Sequence, residues 1–127
     1  HGRTPVERAQ VDSANNWVQI NGFAAGAEAF RNSTPGFKNR AMPGHHNYSQ
    51  IPELAERGLQ RIDNFFSDLE ARLESSEYLV DDYFSVADIS ALVCVDFAKW
   101  VKKRVPEDHK NLLRWYDQVS HRPSAKA

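Results

Sequence analysis

Between Tyr83 and Trp100 the chain reads Y-F-S-V-A-D-I-S-A-L-V-C-V-D-F-A-K-W, and no other stretch restricts the fold so tightly. It opens on a helix-start signal. Ser85 stands at the N-cap with Asp88 three residues on, a capping box that uses Asp in place of the usual Glu. In such a box the Ser85 hydroxyl accepts from the backbone N–H of residue 88, and the Asp88 carboxylate reaches back to the N–H of Ser85. Phe84 and Ile89 occupy the two positions of a hydrophobic staple. Beyond the start, Val86, Ala87, Ile89, Ala91, Leu92, Val93, Cys94, Val95, Phe97 and Ala98 leave no clear polar face, and a helix that is apolar nearly all round is a buried one. At about 15 residues it falls short of the ~20 needed to cross a bilayer. The stretch predicts the central helix of a helical domain, with Asp88 as a structural cap rather than a catalytic carboxylate.

The flanking sequence supplies helices to surround it. Thr4-Pro5-Val6-Glu7 is a second capping box with Pro at the first helical position, and the helix it opens is expected to run from Pro5 to about Arg31. Val6, Ala9, Ser13, Trp17, Ile20, Ala24 and Ala27 recur on it by threes and fours. Val11, Ala14, Val18 and Phe23 lie on other faces. One face suits the bundle, and the others are free for a partner chain, a further domain or a ligand. Gly22 and Gly26 weaken the middle of this helix and predict a bend near Gly22. Residues 32–50 hold two Pro-Gly pairs and no periodicity, which reads as a loop; at that length it is expected to be functional or mobile. His45 and His46 within it point in different directions on an extended chain, with no further ligand at metal-binding spacing, so no metal site is expected.

From Pro52 to Ser75, Ala55, Leu59, Ile62, Phe66, Leu69 and Leu73 fall at alternating steps of four and three. They make a one-sided seam for packing antiparallel to the first helix. Glu53–Arg57 and Asp68–Arg72 are spaced to pair along its outer face. Ser76 to Asp82 is a short connection into the central helix. Lys99, Lys102, Lys103 and Arg104 form a basic run that suits a helix C-terminus, with anion binding as a second reading. Pro106-Glu107-Asp108 reads as the start of the last helix, which carries Leu112, Leu113, Trp115, Tyr116 and Val119 and ends at Arg122-Pro123-Ser124. With no alternating strand pattern and no internal repeat, the class is all-α, one domain of about five helices spanning residues 1–127.

A net charge of −1 gives no field to gather nucleic acid or anionic lipid. The lone Cys94 excludes an internal disulfide, and its place on the central helix predicts an inert thiol in a reducing, cytoplasmic setting. No signal peptide or membrane span is expected. The chain opens on His1, not methionine, so further sequence is expected upstream. The sequence holds no Gly-rich phosphate loop, H-E-x-x-H, C-x-x-C or G-x-S-x-G. No reaction assembles from these residues alone.

The run Y-L-V-D-D-Y-F-S-V-A-D-I-S-A-L resembles the signature of the C-terminal helical domain of cytosolic, bacterial-type glutathione transferases, with the [F/Y]-[S/T]-x-A-D-I core at Phe84 to Ile89. The tail from Asn111, with N-L-x-x-W and R-P elements, is similar to the last long helix of that domain, and T-P-V-E-R-A-Q-V to its entry. The resemblance implies a missing N-terminal thioredoxin-like domain that binds glutathione and activates its thiol. It therefore implies no catalytic residue in this chain. It implies that the present domain forms one wall of the site for a hydrophobic electrophile, from the first helix and the end of the central helix or tail. By position Trp17, Ile20 and Phe23 are the substrate-binding candidates, with core or dimer contact as their plainer reading; Asn16 and Arg8 are candidates for touching glutathione or the linker. A homodimer is implied, in which the first two helices cross their mates, with no nucleic-acid or membrane partner. Gly58 within the second helix and the small Ala14 depart from the family pattern. Two other readings stay open: a non-catalytic docking module of the same fold, and a self-sufficient ligand-binding bundle.

Overall fold

A five-residue π-helical turn, Gln19–Phe23, joins α1 (Pro5–Val18) to α2 (Ala24–Ser33) without a break in helical backbone. The structure, a computed structural model, describes residues 3–122 of the 127. The last helix ends at Ser120, with His121 at its C-cap, ahead of the Arg122-Pro123-Ser124 signal, of which Pro123 and Ser124 lie outside the described residues. After α2 come a short 3-10 turn at Pro35–Phe37, α3 (Pro52–Glu74), α4 (Val86–Ala98) running into a 3-10 turn at Lys99–Val101, and α5 (Lys110–Ser120). The fold is all-α, as expected. Among the described residues five α-helical segments make four rods, because α1 and α2 are continuous.

The antiparallel pairing of the first rod with α3 is laid out by its contacts. Asn32 meets Ile51, Glu28 meets Arg57 and Arg61, Gly22 meets Phe65, and Trp17 meets Phe65 and Arg72. Gly58 sets how closely the rods approach. A Cβ there would lie 2.6 Å from the backbone nitrogen of Ala29 and 2.9 Å from the carbonyl oxygen of Ala25. The departure at Gly58 is thus where two helix backbones touch, with Ala25 and Ala29 as the small residues opposite.

The bundle-facing side of the first rod is not the periodic set of the sequence. Val11, Ala14, Val18, Gly22, Ala25, Gly26 and Ala29 are buried, whereas Val6, Ala9, Ser13, Ile20 and Ala24 are exposed and Trp17 is half-buried. Both stripes repeat by threes and fours, so periodicity cannot separate them. The buried stripe consists of small residues, and only small residues allow α3 and α4 to come this close. Around Gly22 the helix widens into the π-helical turn, and Gly22 is buried there against the Phe65 ring, where a Cβ would sit 2.6 Å from Cζ.

The seam on α3 is as expected, with Ala55, Ile62, Phe66, Leu69 and Leu73 buried and Phe65 beside them. Its outer charges pair differently. Arg57 and Arg61 both bind Glu28 of α2, and Arg72 donates to the Leu79 carbonyl at 2.9 Å, because carboxylate and carbonyl acceptors on neighbouring elements lie closer than the i,i+4 partners. The loop over residues 34–51 is tied down. Arg31 donates to the carbonyls of Arg40 and Ala41, Gln50 to those of Arg31 and Thr34, and the Asn32 amide oxygen accepts from the N–H of Ile51. Within it the His45 and His46 rings lie together, with centroids 4.0 Å apart, rather than diverging: the residues here form bends, not an extended strand.

The last helix starts later than the Pro106 signal. Pro106 to His109 forms a turn, and α5 begins at Lys110. Its first N–H groups are capped from another helix. The Glu70 carboxylate of α3 accepts from the N–H of Leu112 at 2.9 Å, the N–H of Asn111 at 3.3 Å and the Asn111 side chain at 2.6 Å. No helix among the described residues is long and apolar enough to cross a membrane.

Candidate functional site

The candidate site is built on α4, and what holds α4 is the buried Asp88. Its carboxylate accepts from the Ser85 N–H at 2.9 Å, the Leu79 N–H at 3.1 Å and the Trp115 indole N–H at 2.8 Å. The capping box is present as expected, and the Ser85 hydroxyl also accepts from the N–H of Ala87 at 3.3 Å. The capping box therefore does more than start a helix. It locks the incoming loop, α4 and α5 to one fully buried carboxylate. Burial pushes the Asp88 carboxyl above its ordinary range, while the donors from Trp115, Leu79 and Ser85 pull it back towards the ionised form. The Phe84 ring meets Tyr78 edge-on and lies under the Arg122 guanidinium, while Ile89 is 44% exposed.

That exposed isoleucine belongs to a stripe. Val86, Ile89, Val93, Phe97 and Trp100 fall on one side of α4 and the 3-10 turn that continues it. Val93 is 53% exposed and Trp100 71%. The central helix is thus enclosed on one side only. On the other side Ala87, Asp88, Ala91, Leu92, Val95 and Ala98 are buried.

At the upper end the stripe meets α2 in an aromatic wall. Phe97 stacks on Phe23 with centroids 6.0 Å apart and meets Phe30 edge-on at 5.4 Å, while Phe30 also stands edge-on to Trp100 at 6.2 Å and to Phe37 at 5.3 Å. Gly26 makes room, since a Cβ there would lie 3.0 Å from the Phe97 ring. Phe23 stands on the π-helical turn, which inserts its extra residue where the rod passes the wall. Lower down, Ser90 donates to the Asn15 side chain at 2.6 Å and fixes α1 against α4. The wall is an apolar surface of packed aromatic rings, and it carries no nucleophile or acid–base pair. Cys94 faces inward, its thiol pushed up to about 12 by burial. Among the described residues no three His, Cys, Asp or Glu side chains gather to hold a metal ion.

Of the substrate-binding candidates, only Phe23 lies in this wall. Trp17 packs on Phe65, centroids 5.3 Å apart, under the Arg72 guanidinium. Ile20 is exposed, with its carbonyl accepting from Arg61. Asn16 and Arg8 are exposed on α1. Sequence reasoning missed Phe30, Phe97 and Trp100 as a group. The available signal was the i, i+4, i+7 spacing of Val93, Phe97 and Trp100, hidden inside a helix that looked apolar on every side.

The model of the glutathione S-transferase C-terminal domain matches residues 35–123, more than half of the chain. The chain belongs to the glutathione S-transferase C-terminal domain family. Glutathione S-transferase 2 of Saccharomyces cerevisiae is 27% identical to it over 128 aligned residues, covering 98% of this chain and 52% of that protein. The crystal structure of Gtt2 from the same yeast superposes with a TM-score of 0.86 at 27% identity, covering 98% of this chain and 58% of that one. A glutathione S-transferase of class Gtt2 from Vibrio parahaemolyticus gives a TM-score of 0.79 at 31% identity, with 99% and 54% coverage. This chain spans about half the length of the curated relatives it matches.

Proposed function

We propose that this domain is the acceptor-binding half of a glutathione transferase that conjugates glutathione to hydrophobic electrophiles in the cytoplasm, as a detoxifying enzyme. The observation that carries the reading is the aromatic wall of Phe23, Phe30, Phe97 and Trp100, solvent-open at the end of the central helix and continuous with Ile89 and Val93. Exposed apolar stripes of this kind mark surfaces that something else covers. In this reading a thioredoxin-like lobe encoded outside these 127 residues covers the lower stripe, holds glutathione and carries the group that ionises its thiol. The thiolate attacks the electrophilic carbon, a carbon–sulfur bond forms and the leaving group departs with its electron pair.

The wall's part is to hold the acceptor in a dry place beside that thiolate, a gain in effective concentration rather than a chemical step. Its surface is hydrocarbon and aromatic, which suits the acceptor better than a charged tripeptide. A homodimer formed through the first rod and α3 fits the exposed Val6 and Ile20 on that side. Glutathione and the electrophile are then the small-molecule partners.

Kinetics of the full-length protein that carries this domain test the reading. Truncating an aromatic contact of ~1–1.5 kcal/mol should weaken acceptor binding about tenfold. Phe97→Ala is therefore expected to raise KM for a hydrophobic electrophile by about that factor and to leave KM for glutathione almost unchanged. A protein that conjugates no electrophile in a broad panel overturns the reading and favours the docking module.

A further inference from the structure

We infer that this domain carries a second small-molecule site, half a turn round α4 from the aromatic wall, that binds a small organic carboxylate. A cavity of about 210 Å³ lies between α4, the 103–105 segment and α5, lined by Val95, Lys99, Arg104, Val105, Leu113 and Tyr116. Val95 and Lys99 are one turn apart on the side of α4 that faces α5, away from Phe97 and Trp100. The site is therefore separate from the acceptor wall and does not depend on how that wall is used.

The cavity has an apolar body and a cationic rim. Val95, Val105 and Leu113 supply hydrocarbon. At the rim Lys99, Tyr116 and Asp96 form a closed triangle: Lys99 donates to Asp96 at 3.1 Å and to the Tyr116 hydroxyl at 2.9 Å, and that hydroxyl donates to Asp96 at 2.6 Å. The ammonium also lies 5.1 Å from the Tyr116 ring centroid. The hydrogen bonds to Tyr116 and Asp96 raise the Lys99 pKa, so it stays charged. Asp96 offsets Lys99, which leaves Arg104 as the unmatched charge. Among the described residues no carboxylate pairs with Arg104.

Guanidinium is the cation whose planar fork matches a carboxylate with two parallel hydrogen bonds. The volume lies below the ~300 Å³ at which drug-sized pockets begin, so the ligand is fragment-sized, a short aliphatic or single-ring acid. The basic run thus divides: Lys103 pairs with Asp63 at 2.8 Å, and Arg104 lines the cavity.

Titration of the protein with benzoate, followed by NMR chemical shifts, tests the inference. Benzamide, nearly the same shape without the charge, is the control. Benzoate is expected to bind with Kd on the order of 1 mM, moving the signals of Val105, Leu113 and Tyr116 and sparing those of Phe23 and Trp100. Arg104→Gln, an exposed change, should weaken it at least fivefold at unchanged melting temperature, and Leu113→Asn should weaken it too. The inference is overturned if benzamide binds as well as benzoate, if Arg104→Gln binds benzoate unchanged, if the shifts fall only on the aromatic wall, or if no shifts occur.

Discussion

Asp88 illustrates how much a single buried acceptor can organise. Three N–H donors from three elements converge on its two oxygens, and an amide in its place offers one acceptor oxygen and turns a donor towards donors. Leaving a buried donor unpaired costs about 1–3 kcal/mol. Asp88→Asn is accordingly expected to lower stability by at least ~2 kcal/mol in chemical denaturation. Trp115→Phe, which removes one donor and keeps most of the ring, should cost less. Equal stability of Asp88→Asn and the parent protein would contradict this account.

Glu70 makes a prediction in pH. Burial works against its ionisation, but the donors from Leu112 and Asn111 outweigh it and hold the carboxyl below its ordinary value of 4.5. A carboxylate depressed in the folded state stabilises above that value, and the contribution is lost as pH falls through the lower folded value. Asp88, shifted upward, has the opposite sign and opposes the loss. Glu70→Gln should therefore lower the melting temperature at neutral pH and show a shallower decline than the parent protein below pH ~4.5.

At the scale of elements, the lesson of α1 and α3 is what periodicity can resolve. The α3 seam has charges opposite it, so its buried face was legible from Ala55 to Leu73. The first rod carries two apolar stripes of equal period, and the choice fell to steric approach by α3 and α4, which are distant in sequence. Gly58 is the clearest case. Gly58→Ala should gain helix propensity of up to ~1 kcal/mol, yet it drives a Cβ into the backbone of Ala25 and Ala29, an overpacking that typically costs about 1–3 kcal/mol. The net prediction is a loss of stability, read as a lower denaturation midpoint; a gain would show that the rods can part freely. The start of α5 was likewise illegible, because its cap is a glutamate on α3. The aromatic wall was half legible: Phe23 stood out, whereas Phe97 and Trp100 were absorbed into a helix taken to be buried all round.

At the scale of the whole molecule, one side of α4 faces its own bundle and the other faces outward, in a chain about half as long as its curated relatives. Ile89 and Val93 on the outward side are what the proposed second lobe would cover. Produced alone, the 127-residue chain is expected to self-associate through that stripe, with sedimentation showing a concentration-dependent mass that Val93→Lys reduces. A strictly monomeric chain would favour the self-sufficient bundle.

The central claim, that Phe23, Phe97 and Trp100 receive the acceptor, is tested most directly by a crystal structure of the full-length protein with an S-alkyl glutathione conjugate. The account predicts that the alkyl tail lies in van der Waals contact with those three rings. A tail lying against Trp17 and Ile20, or clear of this domain altogether, would contradict it.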